Sequence, residues 1–318
     1  MPFRDAGATV AEAIRSVLAQ GGVRFELLAV DDGSTDDGPA QVRELAERDA
    51  RVVPLSAGDG LVDALEVGRR AARAPLIARM DADDVCLPGR FAAQVAALNE
   101  AEGVVATRVE LFGEHGEGMA RYVDWQNELL DPDAHDRDLF VESPVCHPSV
   151  ALPAEMLDAA GGYRDGDFPE DYELWLRLAA RGATIRKLPM VGLRWRQHGQ
   201  SFSRTDGRYR PEAFRETKAR YVPAALPDRP LVVWGAGQTG KRFMRSLEAH
   251  GPRATRFVDI DPKKIGRQAR GVPVVSPEAL APEDFVLVAV GARGARDEVR
   301  EFLVAQGRSE VTDFRCVA

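Results

Sequence analysis

The 318-residue sequence predicts an α/β fold, with a mostly parallel sheet covered by helices and then a second, smaller α/β unit. Three observations carry this. Short apolar runs alternate with segments of helical periodicity. Two of the early runs end in aspartate clusters, at Asp31–Asp32 and at Asp81, Asp83 and Asp84. A glycine-rich turn, "VVWGAGQTGKRF", opens a fresh strand-turn-helix pattern after a proline-bracketed stretch.

The elements follow in order. "ATVAEAIRSVLAQGG" puts Val10, Ala13, Ile14, Val17 and Leu18 on one helical face, with Thr9 and Glu12 at capping-box spacing and glycines to end the helix. "FELLAV", Phe25 to Val30, is too short for a core helix and reads as a strand buried on both faces. The same reading gives helices near 39–48, near 61–72 and from Arg90 to about Asn99, with strands near 52–55, at 76–80 and at 104–113. The acidic stretch "DPDAHDRD", Asp131 to Asp138, reads as loops and short helices over a cleft. "VPAALPDRP" cannot continue a helix, so the domains are placed at 1–222 and 229–318. The second then holds strands in "LVVW", "TRFVDID", 272–275 and "FVLVAVG".

Composition excludes several classes. A net charge of −8 and 45% hydrophobic content argue for globular domains and against a nucleic-acid binder, which needs a basic face. A phosphorylated ligand would need a local device, a metal ion or a helix N-terminus. The three cysteines, Cys86, Cys146 and Cys316, lack metal-ligand spacing and fit a reducing compartment. No signal pattern and no apolar run of about 20 residues is present, so a cytoplasmic protein is expected, with peripheral membrane association left open.

Ligands of open parallel sheets bind beyond the carboxyl ends of the strands, so both aspartate clusters are expected at one crevice. Clustered carboxylates suit Mg²⁺ or Mn²⁺, and an ion bridging a diphosphate would neutralise both sides. Asp84, ahead of Leu87–Pro88, serves equally well as a loop or cap acid.

"FELLAVDDGSTDD", "APLIARMDADDVCLPGRF", "SPVCHPSVALPAEMLDAAGGYRDGDFPEDYELWLRLAARG" and "LRWRQHGQSFSR" resemble, in order and spacing, the motifs of family 2 glycosyltransferases of the GT-A fold, over about residues 1–221. The resemblance implies sugar transfer from a nucleotide-diphospho-sugar, with uridine as the expected base, to an acceptor hydroxyl with inversion, in glycan or polysaccharide assembly. It places Asp32 on the donor's base, Asp81 near the ribose or the metal, and Asp83 with His198 on Mn²⁺ or Mg²⁺. Asp171 becomes the base that deprotonates the acceptor, with Glu170 orienting a substrate, both at a helix start where the dipole favours carboxylates. Gly161 and Gly162 suit a loop whose backbone approaches the donor sugar; a helix C-cap is the plain alternative. His147 is expected near the acceptor or donor sugar, or else as a packed loop histidine.

The family pattern opens with a strand ending in Pro-x-Tyr-Asn, whereas this chain opens "MPFRDAG". Pro2, Phe3, Arg4 and Asp5 then line the nucleotide pocket, Arg4 stacking where an aromatic ring usually stands. The preceding strand is missing or lies upstream of Met1, and the second is expected because losing a buried central strand costs several kcal/mol.

Gly235, Gly237 and Gly240 form G-x-G-x-x-G between strand and helix, with Asp259 about 20 residues further on, as in a dinucleotide site. The segment also resembles Rossmann-like domains at the N-terminus of sugar O-acyltransferases, which implies nucleotide binding or docking. Two rivals remain: a non-catalytic nucleotide-sugar binder, and a dinucleotide-dependent enzyme built on the second domain.

Overall fold

The computed structural model describes residues 1–199 and 201–318. In chain order the first elements are β1 (Pro2–Phe3), α1 (Val10–Leu18), β2 (Leu27–Asp31), α2 (Gly38–Arg48), β3 (Val52–Ser56), α3 (Leu61–Ala71), β4 (Leu76–Ala78), β5 (Val85–Cys86), α4 (Arg90–Glu100), β6 (Val104–Gly113), α5 (Glu117–Glu128) and α6 (Pro132–Asp138). Then come β7 (Ala151–Pro153), α7 (Ala154–Ala159), α8 (Glu170–Ala179), β8 (Ile185–Gln197), α9 (Phe202–Thr205) and α10 (Pro211–Tyr221). The remainder is β9 (Leu231–Trp234), α11 (Gln238–Glu248), β10 (Arg256–Val258), β11 (Gln268–Ala269), β12 (Val272–Val275), β13 (Phe285–Val288), α12 (Ala295–Ala305) and β14 (Phe314–Cys316).

These elements form two compact units, one of residues 1–135, 144–166 and 181–206, the other of 136–143, 167–180 and 207–318. In the first unit the sheet is divided. One sheet, in the order β1-β2-β3, is parallel throughout. Val30 N donates to Met1 O and Asp32 N to Phe3 O, each at 2.9 Å, so Pro2–Phe3 themselves run as a short strand beside β2, where the sequence reading expected the strand to be missing or upstream of Met1. The other sheet, β4-β7-β6-β8-β5, is mixed: β6 and β8 pair in parallel, and the other pairs are antiparallel. The β6–β8 pairing is interrupted on both sides of Arg108, with Thr107 opposite Leu188, Arg108 opposite Val191 and Val109 opposite Leu193.

Helical spacing explains the core of this unit. Val10, Ala13, Ile14 and Val17 of α1 are buried together with Val42, Phe91 and Leu193. Burying a side chain such as Ile14 stabilises by roughly 1.5–3 kcal/mol. The expected capping box is not formed: Thr9 makes no side-chain cap bond. Its hydroxyl turns to Ala6 O at 3.4 Å, and Glu12 pairs instead with Arg196.

In the second unit one sheet runs β11-β12-β10-β9-β13-β14, parallel except at the β11–β12 edge. The strand residues of β9 and β13 are buried throughout, as strands covered on both faces must be. Helix α8 is buried along nearly its whole length, and its internal pair Glu173–Arg177, at 2.9 Å, lies almost wholly out of water. The Tyr221 hydroxyl also donates to Glu173. Buried charges persist only when answered in this way.

Lys187 of β8, 3% exposed, donates from Nζ to Gln126 O and to Pro144 O. Burial pushes its ammonium down to about 7, with Arg108 adding to the effect and Cys146 opposing it. An unfolded lysine titrates near 10.4, so this group's contribution is fully present above that value and lost as pH falls through about 7. Denaturant unfolding of the native chain and Lys187→Met should therefore diverge, the native chain gaining about 1–3 kcal/mol on the variant between pH ~7 and ~9.5. A difference that stays flat with pH contradicts the assignment.

Candidate active site

In the first unit Arg79 and Asp81 lie in the segment that leaves β4 after Ala78. Arg79 is 6% exposed and its Nη2 meets Asp81 Oδ1 at 2.6 Å. Asp81, Asp83 and Asp84 offer carboxylate oxygens that all lie within 4.8 Å of one another. His198 Nε2 stands 3.2 Å from Asp83 Oδ2. Asp84, left open by the sequence, joins the cluster: it is 1% exposed, its Oδ1 accepts from Arg196 N at 2.8 Å, and its Oδ2 has no hydrogen-bond partner among the described residues.

The electrostatics are those of a site short of positive charge. Burial and the neighbouring Asp81 raise the Asp83 carboxyl above the usual range, although His198 opposes the shift. Asp84 is raised further, by burial and by both neighbouring aspartates. Both shifts mark carboxylates that would be relieved by a cation. The β5–β8 pairing fixes the group, since Val85 lies opposite Arg194 and Arg196 Nε donates to Asp83 O at 2.7 Å. Three carboxylates and one imidazole, one of whose oxygens is buried without a donor, form a donor set suited to Mn²⁺ or Mg²⁺.

Other expected residues of this unit take these places. Asp32 is 7% exposed; its Oδ1 accepts from Gly60 N at 2.9 Å and its Oδ2 lies 3.9 Å from Arg4 Nη1. Asp5 adopts a left-handed φ of 48°, with Oδ1 accepting from Thr35 N at 2.7 Å, a conformation aspartate tolerates better than bulky residues. His147 is buried, with Nε2 3.1 Å from the Tyr163 hydroxyl. Burial, then Arg79 and the chain's amino terminus, push its imidazole well below its usual value. Gly162, at φ 68°, leaves room for Glu66, since a Cβ there would stand 2.3 Å from Oε1. Glu66 in turn accepts from Tyr163 N at 2.7 Å and pairs with Arg69. A Cβ on Gly161 would meet nothing within 4 Å.

Glu170 and Asp171 open α8 in the second unit, immediately after Pro169. Glu170 is 2% exposed and its Oε2 accepts from the Tyr209 hydroxyl at 2.6 Å. Asp171 Oδ1 accepts from Tyr172 N at 2.7 Å.

The second unit also holds the glycine-rich turn. A Cβ on Gly240 would stand 1.9 Å from Gly235 O, so α11 packs on the turn as closely as backbone allows, while Gly237 faces open space. Asp259 is 7% exposed and already engaged: Oδ2 accepts from Ala236 N at 2.9 Å and from Lys264 Nζ at 3.0 Å.

Arg79, Arg196, Glu66, Tyr163 and Tyr209 were not singled out from the sequence. A signal existed for the first two, since "RMD" and "RWRQH" place arginines at strand spacing beside the acids and the histidine. Glu66 and Tyr209 come from distant segments and carried none.

Residues 1–159 match the family described as Glycosyl transferase family 2, and residues 228–312 match that described as CoA binding domain. The amylovoran biosynthesis glycosyltransferase AmsE of Erwinia amylovora is 30% identical over 52% of this chain, which spans 62% of AmsE's length. The O-antigen biosynthesis glycosyltransferase WbnJ of Escherichia coli is 30% identical over 59% of this chain and 74% of its own. Among solved structures, residues 1–349 of S. aureus TarS, in complex with UDP-GlcNAc, align with a TM-score of 0.57 at 15% identity, over 78% of this chain and 69% of that one. That likeness concerns the fold, which is GT-A with a separate Rossmann-like domain. With half of its length matched by one family and a relative 30% identical over 74% of that relative's length, the chain belongs to glycosyl transferase family 2.

Proposed function

We propose that the protein transfers a sugar, with inversion and with a divalent metal ion, from a nucleotide-diphospho-sugar to an acceptor hydroxyl in polysaccharide assembly. The observation that carries this is the Asp81–Asp83–Asp84 cluster with His198 on Asp83 and the unanswered Asp84 Oδ2. Asp83 and His198 would hold Mn²⁺ or Mg²⁺, which when bound supplies charge neutralisation for a diphosphate leaving group. AmsE and WbnJ are named for amylovoran and O-antigen biosynthesis, and TarS is described with UDP-GlcNAc, which favours a UDP-sugar donor.

In this reading Arg79 holds Asp81 toward the donor's ribose, and Asp32 takes the base beside Pro2, Phe3 and Arg4. Gly161, open on its Cβ side, accommodates the sugar, with Gly162 and His147 packed behind it on Glu66 and Tyr163. Asp171 accepts the proton of the acceptor hydroxyl as its oxygen bonds to the anomeric carbon and the bond to the diphosphate breaks. Glu170, bound by Tyr209 and shielded from water, orients rather than reacts. For the Rossmann-like domain, with Gly235, Gly237, Gly240 and Asp259, the assigned role is nucleotide binding or docking. Redox chemistry is not favoured, because Asp259 is spent on Ala236 N and Lys264.

The melting temperature of the chain should rise with UDP-GlcNAc or UDP-galactose when Mn²⁺ is present, and Asp83→Asn should remove the metal-dependent part. No response to any nucleotide-sugar, with or without Mn²⁺, would reject the reading. Asp84→Asn should raise the melting temperature of the metal-free chain by removing one buried like charge, and should blunt the response to Mn²⁺. Asp171→Asn should keep the response to donor and lose about 10²–10⁴-fold in transfer rate. Undiminished transfer by that variant would remove Asp171 from its role.

A further inference from the structure

Helix α4 follows the aspartates closely in sequence. Its first residue, Arg90, is fully buried in the first unit, with no carboxylate at ion-pair distance among the described residues. A buried guanidinium is costly unless its donors are used. Here they are: Nη2 donates to Arg79 O at 2.8 Å and to Val150 O at 3.4 Å, and Nε to Gln94 Oε1 at 3.1 Å. Nη1 lies 3.7 Å from Met80 Sδ and 4.0 Å from Cys86 Sγ.

Arg79 and Met80 lead directly into the aspartates and Cys86 follows them, so one guanidinium touches both ends of the acidic segment. It also stands where two strands part. The β4–β7 ladder runs to Ala78 opposite Ala151 and is continued by one further bond, Arg79 N to Val150 O at 2.9 Å. From there side chains of α4 take over. Arg90 binds the Arg79 carbonyl, and Gln94, itself 1% exposed, donates to Ser149 O at 2.9 Å and to Val105 O at 2.8 Å. Buried carbonyls at a strand end need donors of this kind.

Fixing the main chain of Arg79 also fixes where its side chain starts, and that side chain meets Asp81 at 2.6 Å. We propose that Arg90 is a positioning residue for the aspartate cluster: its guanidinium, forked across Arg79 O and Val150 O, sets the point from which the Asp81–Asp83–Asp84 segment leaves the sheet. The proposal deepens the metal-dependent reading and rests on it for what the aspartates hold. Packing alone does not account for Arg90, because a methionine of similar length would fill the space and leave Arg79 O without this donor.

The test compares Arg90→Met, Arg90→Lys and Leu98→Ala in the full chain. Leu98 is buried on the same helix in a cluster with Ala97, Val105 and Ala151, so its truncation weakens α4 without removing these bonds and serves as the control. Three quantities are read: the thermal melt, amide hydrogen exchange over residues 79–86 in the metal-free chain, and the dissociation constant for Mn²⁺ with saturating UDP. Arg90→Met should weaken Mn²⁺ binding about tenfold and speed exchange over 79–86 several-fold. Arg90→Lys keeps a charge but not the fork, and should fall between that variant and the native chain. Leu98→Ala should lower the melt and leave the other two readouts at their native values. An Arg90→Met chain that lowers the melt alone, or a Leu98→Ala chain that moves exchange and Mn²⁺ binding as far, overturns the proposal. If the methionine variant does not fold, the lysine variant is held to the same comparison. A native chain that binds no Mn²⁺ with UDP rejects the metal-dependent reading, and exchange over 79–86 then decides the role of Arg90 by itself.

Discussion

The first unit is organised around a repulsion. Carboxylates within 4.8 Å of one another oppose each other by roughly 3 kcal/mol per pair at an effective dielectric near 20. No short loop holds such a group unaided. Arg79 answers Asp81, Arg196 binds the Asp84 carboxylate through its amide and the Asp83 main-chain carbonyl through its guanidinium, and His198 closes on the Asp83 carboxylate. Each of these comes from a strand of the mixed sheet or from the residues just after one, so the sheet holds these like charges together. What remains unanswered is Asp84 Oδ2, buried with no donor among the described residues.

Much of this was legible in the sequence because the signals were local. Apolar runs of strand length and helical stripes placed β2, β6, α1 and α4 within a residue or two of their observed bounds. The aspartates announced themselves by crowding. Pairing partners, however, are not written in local order. That β4, β7, β6, β8 and β5 make a separate mixed sheet depends on which edges meet after collapse, and alternation of helices and strands is silent on that. The capping box failed for a similar reason, since Glu12 had a better partner in Arg196, 184 residues away.

Burial was the other quantity the sequence withheld. Asp84 reads on paper as an ordinary loop acid, yet only 1% of it reaches water. Glu170 and Asp171 are adjacent and chemically alike, and only the fold separates them, one beneath a tyrosine hydroxyl and the other bonded to the next backbone amide. In the second unit, too, the spacing of Gly235, Gly237, Gly240 and Asp259 matched a dinucleotide fingerprint. The carboxylate of Asp259 is nonetheless consumed by the turn itself, a distinction that spacing cannot express.

The irregular stretch of β6–β8 pairing has a consequence for how such a chain tolerates change. Between Thr107 and Val109, two steps along β6, strand β8 advances from Leu188 to Leu193, so surplus residues are absorbed before the strand resumes toward Arg196. Downstream of that slack the frame is strict, because side chains of a strand alternate faces. Losing one residue beyond it would bring Gln197 to the place of Arg196 and Gly199 to that of His198. An amide and a bare backbone would then confront the aspartates. Length variation is thus absorbed within the bulge itself and ruinous beyond it, although both lie in the same strand.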